Sequence, residues 1–138
     1  MNTKDKMYKV LKDTRDWYAE DPEKRRCIDK DGNCIYTWGD NHCAVGRYLK
    51  SKYQIENWRD NKLSANELSS SHPDDGVYSP DWALRKEVHG IDPDFWNDLQ
   101  FFHDSRSFWN YKEGGLTSIG KEHYVRFEDK IAEGKYDG

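Results

Sequence analysis

The sequence predicts a mainly helical α+β fold, one compact domain over residues 1–138 with a single small β-hairpin packed on helices. Three observations carry that reading. Apolar residues recur at helical spacing in several stretches that open on capping residues. Asp31-Gly32 stands between two β-prone runs, the strongest short hairpin signal. And 138 residues with 14% aromatic content, including six Trp and nine Tyr, can fill a modest core with a few large rings.

The first helix is predicted over residues 4–20. Met7, Val10, Leu11, Thr14, Trp17 and Tyr18 share one face, and Asp21-Pro22 ends it. The hairpin follows over 25–38. A two-residue turn at Asp31-Gly32 sets Ile28 opposite Ile35 and Cys27 opposite Tyr36. A lone hairpin is marginal in water, so it must lie on helices. A second helix is predicted over about 41–53, capped by Asp40 or Asn41. Cys43 falls in its first turn and Gly46 in its interior, where something must approach the backbone closely. Ser64-Ala65-Asn66-Glu67 forms a capping box, with Leu63 and Leu68 as its staple. Residues 69–79 are the expected mobile loop. Pro80 opens a helix that Gly90 closes. Asp92 and Pro93 open the next, whose apolar face is Phe95, Trp96, Leu99, Phe102 and His103. After Gly114-Gly115 a last helix from Thr117 to about Ala132 shows Tyr124, Phe127 and Ile131, with Gly134 beyond its end. Trp17, Leu49, Trp96, Leu99, Phe102 and Phe127 are the expected core.

Composition narrows the function. Basic residues number 22 and acidic residues 26, a formal charge of −4 without a basic block, so double-stranded DNA is a poor partner. No run approaches membrane-spanning length, so no membrane partner is expected. Residues 1–12 hold no apolar export segment, and three Cys is an odd number. Reduced thiols in a cytoplasm are the simplest reading.

Two patches carry a resemblance. One runs from Asp21-Pro22 through Cys34 to Cys43-Ala44-Val45-Gly46. The other is Leu99-Gln100, His103-Asp104, Trp109, Gly115-Leu116-Thr117 and Gly120. Over under half the chain they resemble small uncharacterised bacteriophage and bacterial proteins; residues 54–90 share nothing with them. The resemblance names no activity. It implies a phage or mobile-element accessory protein, a group in which inhibitors and ligand sponges are common, acting as a host-defence antagonist in the host cell cytoplasm if phage-encoded.

Three constellations could carry chemistry. Cys43, His103 and Asp104 would make a nucleophile, a base and an orienting carboxylate for a cysteine-dependent hydrolase or transferase, with His42 as a second base. The simpler reading makes Cys43 a small buried residue and His103 a hydrogen-bonded core histidine. On it, Cys43→Ala is nearly silent and Cys43→Ser harmful. Cys27, Cys34, His42 and Cys43 have zinc-ligand chemistry but no zinc-knuckle spacing, so neither metal nor cofactor is expected. Arg47, Trp58, Arg59, His103, Arg106, Trp109 and Tyr111 combine ring faces with guanidinium forks, which suits a planar base joined to phosphate. The bland alternative is core rings flanked by solvated arginines.

The function expected is therefore non-enzymatic: a phage-type inhibitor or sequestering binder of a nucleotide-like, phosphate-bearing ligand. The alternatives are the cysteine-dependent enzyme and an inhibitor that binds a host protein through an exposed aromatic patch. A homo-oligomer is compatible with each.

Overall fold

The computed structural model describes residues 2–23, 25, 37–38, 41–54, 68 and 79–136. These form a mainly helical structure: three α-helices, five short 3-10 turns and one two-stranded antiparallel pair. Helix α1 spans Thr3–Glu20, α2 Pro93–Asp104 and α3 Ser118–Ala132. Strands β1 (Thr37–Trp38) and β2 (Asn41–His42) pair Thr37 with His42 and Trp38 with Asn41. The predicted turn at Asp31-Gly32 and the capping box at Ser64 lie outside the described residues, as does all of the 69–79 loop but Ser79.

Each α-helix starts where a side chain takes up an orphan backbone N–H. Asn2 accepts from Asp5 N at 2.8 Å, Asp92 from Asp94 N at 2.7 Å, and Thr117 from Gly120 N at 3.1 Å. Pro93, in the first turn of α2, lacks the N–H that would have needed a partner there. The core lies where α1 meets α2 and α3. Met7, Leu11 and Tyr18 come from α1, Phe95, Trp96 and Leu99 from α2, and Phe127 and Ile131 from α3. Edge-to-face rings knit this core: Phe95 stands 5.3 Å from Phe127, and Phe102 5.3 Å from Trp109.

The loop after α2 finishes α1. Gly115 N donates to Ala19 O at 2.8 Å, supplying one of the carbonyls that a helix end leaves unpaired. Gly114, with φ +81°, makes this approach feasible, because a Cβ there would lie 2.7 Å from that same carbonyl.

Two expected helices and one core residue need correction. Residues 41–53 do not form a helix: 41–42 are strand, and 3-10 turns follow at Gly46–Tyr48 and Ser51–Tyr53. Residues 79–90 likewise give only the turns Pro80–Trp82 and Lys86–Val88. The cause is shared. Leu49 and Leu84 form an antiparallel bridge, with Lys50 N donating to Ala83 O and Arg85 N to Tyr48 O, each at 2.8 Å. Backbone groups spent on each other cannot also close helical turns. Trp17, expected in the core, is 39% exposed. It sits at the margin of the stripe made by Met7, Leu11, Thr14 and Tyr18, and Arg25 covers its ring at 3.7 Å.

Candidate functional site

A groove of about 340 Å³ opens between α2 and α3. Phe102, Phe108 and Phe127 supply buried rings, while Phe101 stands on its lip, 64% exposed. The α3 wall carries His123, Arg126 and Lys130, whose spacing puts them on one helical stripe. The His123 ring stacks on Phe108, centroids 4.3 Å apart and planes 28° from parallel. Lys130 Nζ lies 3.4 Å from Asp98 Oδ2 on the α2 side; no ion pair to Arg126 occurs among the described residues. Two cations thus face one carboxylate, in a chain that is acidic overall.

The inner end of the groove is closed by Tyr136. Gly134, at φ +77°, reverses the chain after α3, and Lys135 N returns to Lys130 O at 3.0 Å. The Tyr136 ring packs edge-on against Phe95 at 5.6 Å, and its hydroxyl donates to Asp98 Oδ2 at 2.5 Å. Burial, and then the hydrogen bond to the Asp98 carboxylate, raise the Tyr136 pKa far above its ordinary 10.0. Burial raises Tyr48 and Tyr124 as well. The fold thus favours the neutral phenols, whereas an unfolded chain ionises them near pH 10. Stability should therefore be intact below pH 10 and fall as the pH rises beyond it. Urea unfolding followed across that range should show the fall, and Tyr136→Phe should blunt it.

The sequence-predicted residues are placed elsewhere. Arg47 lies over Trp17 at 5.1 Å and over Tyr48 at 5.7 Å, and its Nη1 donates to Asp13 O at 3.3 Å. Trp109 is 3% exposed; its Nε1 donates to Phe102 O and its ring packs edge-to-face with Tyr18 and Phe102, so the ring is not offered to a ligand. Arg106 is exposed on a 3-10 turn, and Tyr111 is half-buried against the core. Trp58 and Arg59 lie outside the described residues, as do Cys27 and Cys34.

His103 and Asp104 form a pair, with Nδ1 and Oδ1 at 3.0 Å, and Gln100 Nε2 donates to the second Asp104 oxygen at 2.9 Å. Val45 N donates to Gln100 Oε1 at 3.4 Å, which ties the Cys43 segment to α2. Tyr18 completes the junction: its hydroxyl donates to His42 O and its ring lies 3.9 Å from that of His103. The Cys43–Gly46 end of the first motif patch therefore meets the second patch in space, and the turn after β2 is held against α2.

Cys43 is 1% exposed, and its Sγ accepts from Gly46 N at 3.2 Å. It caps the turn instead of sitting inside a helix, which corrects the expected first-turn position. The expected order of its variants reverses too. Serine keeps an acceptor for the Gly46 N–H, whereas alanine leaves that buried donor without one. Cys43→Ala should cost about 1 kcal/mol and Cys43→Ser less. Thermal melts of the two proteins decide the order.

Sequence reasoning did not assign Asp98, Phe101, Phe108, His123, Arg126, Lys130 and Tyr136 to a ligand groove. The signal available was the stripe of His123, Arg126 and Lys130 beside the apolar Phe127. Fold and site define a mainly helical protein with an aromatic, cation-rimmed groove. Comparison of the chain with protein families, curated proteins and solved structures finds no match. Among the described residues no helix is long and apolar enough to cross a membrane, and no group of His, Cys, Asp and Glu is placed to hold a metal ion.

Proposed function

We propose that the protein is a non-enzymatic binder that sequesters a nucleotide-like, phosphate-bearing ligand in the groove between α2 and α3. One observation carries the proposal: buried rings and two α3 cations line the same groove. An aryl or base ring would lie against Phe101, Phe108 and His123, and the phosphate would meet Arg126 and Lys130. The groove is at the small end of ligand-site volumes, which suits a single nucleotide better than an oligomer. Asp98 draws Lys130 toward α2, so Arg126 is the principal anion contact. The resemblance to phage and bacterial proteins makes sequestration of a host signal or metabolite, as a defence antagonist in the host cytoplasm, the natural use of such a binder.

The cysteine-enzyme reading is less well supported, because the Cys43 sulfur is engaged by Gly46 and almost fully buried. One observation favours binding to a host protein instead: the exposed Phe101 ring beside Arg126, since aromatic residues and arginine are the usual anchors of interfaces. Calorimetric titration with mono-, di- and cyclic nucleotides tests the proposal. At least one should bind with a micromolar or tighter constant, and affinity should weaken as salt is raised. Uniform failure across the panel would leave the protein-binding reading in front.

A further inference from the structure

Tyr136 belongs to two cavities at once. It lines the aromatic groove and also a second cleft of about 420 Å³. The second cleft is polar, bounded by Thr3, Ser79, Asp81 and Asp92. Asp81 Oδ2 accepts from Gly90 N at 3.0 Å, while the buried Asp81 Oδ1 meets no hydrogen-bond donor. The tail that carries Tyr136 is fastened at two points, the Gly134 reversal and the Asp98 hydrogen bond.

We infer that Tyr136 sets which ligands the groove accepts: it is the wall that limits how far a ligand's ring system can extend along the groove and shuts off the polar cleft. The inference rests on the binding function proposed above and deepens it. Three contacts hold the ring in place. Phe95 and Phe127 flank it at 5.6 and 6.0 Å, and Asp98 holds its hydroxyl. A ligand long enough to need the second cleft must displace that ring and break the bond to Asp98. Once the wall is shortened, the two clefts join. The newly reached walls are polar and include the Asp81 and Asp92 carboxylates, so the extended ligand should gain further from a hydroxyl or amine at its far end, opposite Asp81.

The test compares two probes, phenyl phosphate and biphenylyl phosphate, on the wild-type chain and on Tyr136→Ala. Folding is checked by circular dichroism and thermal melting. Tyr136→Leu is made in parallel. It keeps apolar contact with Phe95 and Phe127 while shortening the wall, and it carries the test if the alanine variant does not fold. The ratio of biphenylyl to phenyl affinity should rise about 10-fold in the shortened variants. An unchanged ratio in a folded variant overturns the inference and leaves the binding function standing if phenyl phosphate or a nucleotide still binds. Biphenylyl binding to the shortened variants alone, with no nucleotide bound by the wild type, supports the wall and overturns the nucleotide reading. Binding of neither probe to any variant overturns the inference, and with no nucleotide bound by the wild type it overturns the binding function as well.

Discussion

Gly120→Ala should destabilise the protein by about 3 kcal/mol or more. The glycine lies in the first turn of α3, buried against the turn that carries Phe108. A Cβ added there would stand 2.1 Å from the Phe108 carbonyl oxygen and 2.9 Å from its carbon. Elsewhere in a helix the same change would help by about 1 kcal/mol, since alanine is the better helix former. Relief by movement is blocked on both sides. Thr117 N donates to Phe108 O at 2.9 Å, and Thr117 Oγ1 donates to Ser107 O at 2.6 Å, so the start of α3 is pinned to the turn it would have to leave. Urea unfolding measures the effect. A midpoint equal to or above that of the wild type would mean that α3 can slide, and the argument would fail. Because Phe108 and His123 stack across this same contact, the variant should also lose ligand affinity at temperatures where it remains folded.

The second large effect concerns binding. Removing both Arg126 and Lys130 as alanines should weaken the ligand about 100-fold, since a hydrogen bond to a charged group contributes about 1.5–3 kcal/mol. The two losses should be unequal. Lys130 is 54% exposed and already shares its charge with Asp98, so Arg126→Ala alone should account for most of the change. Both side chains lie on the exposed side of α3, so melting temperature should barely move, which separates lost binding from lost folding. Calorimetry at two salt concentrations would show the double variant with the flatter salt dependence. Equal affinity in the double variant and the wild type would exclude the groove as the binding site.

What the sequence makes legible depends on how local the cause is. The buried face of α2 is read residue by residue, because Phe95, Trp96, Leu99, Phe102 and His103 keep a helical spacing behind a strong cap. α3 is read as well, through Tyr124, Phe127 and Ile131. The Leu49–Leu84 bridge is not. It joins residues from two stretches that each look helical alone, and a window of local periodicity holds no trace of the partner. The site follows the same logic. Arg106 and Trp109 belong to the expected ring-and-guanidinium set, but residue type does not say which rings the core will take. Trp109 is buried against Tyr18 and Phe102. The groove is instead assembled from α2, α3, one 3-10 turn and the tail, and only the α3 stripe has a local pattern.

The bond from Gly115 N to Ala19 O has a consequence for the order of events during synthesis and folding. α1 leaves the ribosome first, yet the group that completes its last turn comes from a loop made only after α2. Most of an amphipathic helix's stability comes from tertiary packing, so the emerging segment should flicker between helix and coil until the later elements arrive. That is a long-range closure, of the kind that slows folding relative to bundles held by neighbouring contacts. The Gly115 amide would then exchange its hydrogen whenever the loop lifts from the end of α1, and its protection would report how firmly the two are docked.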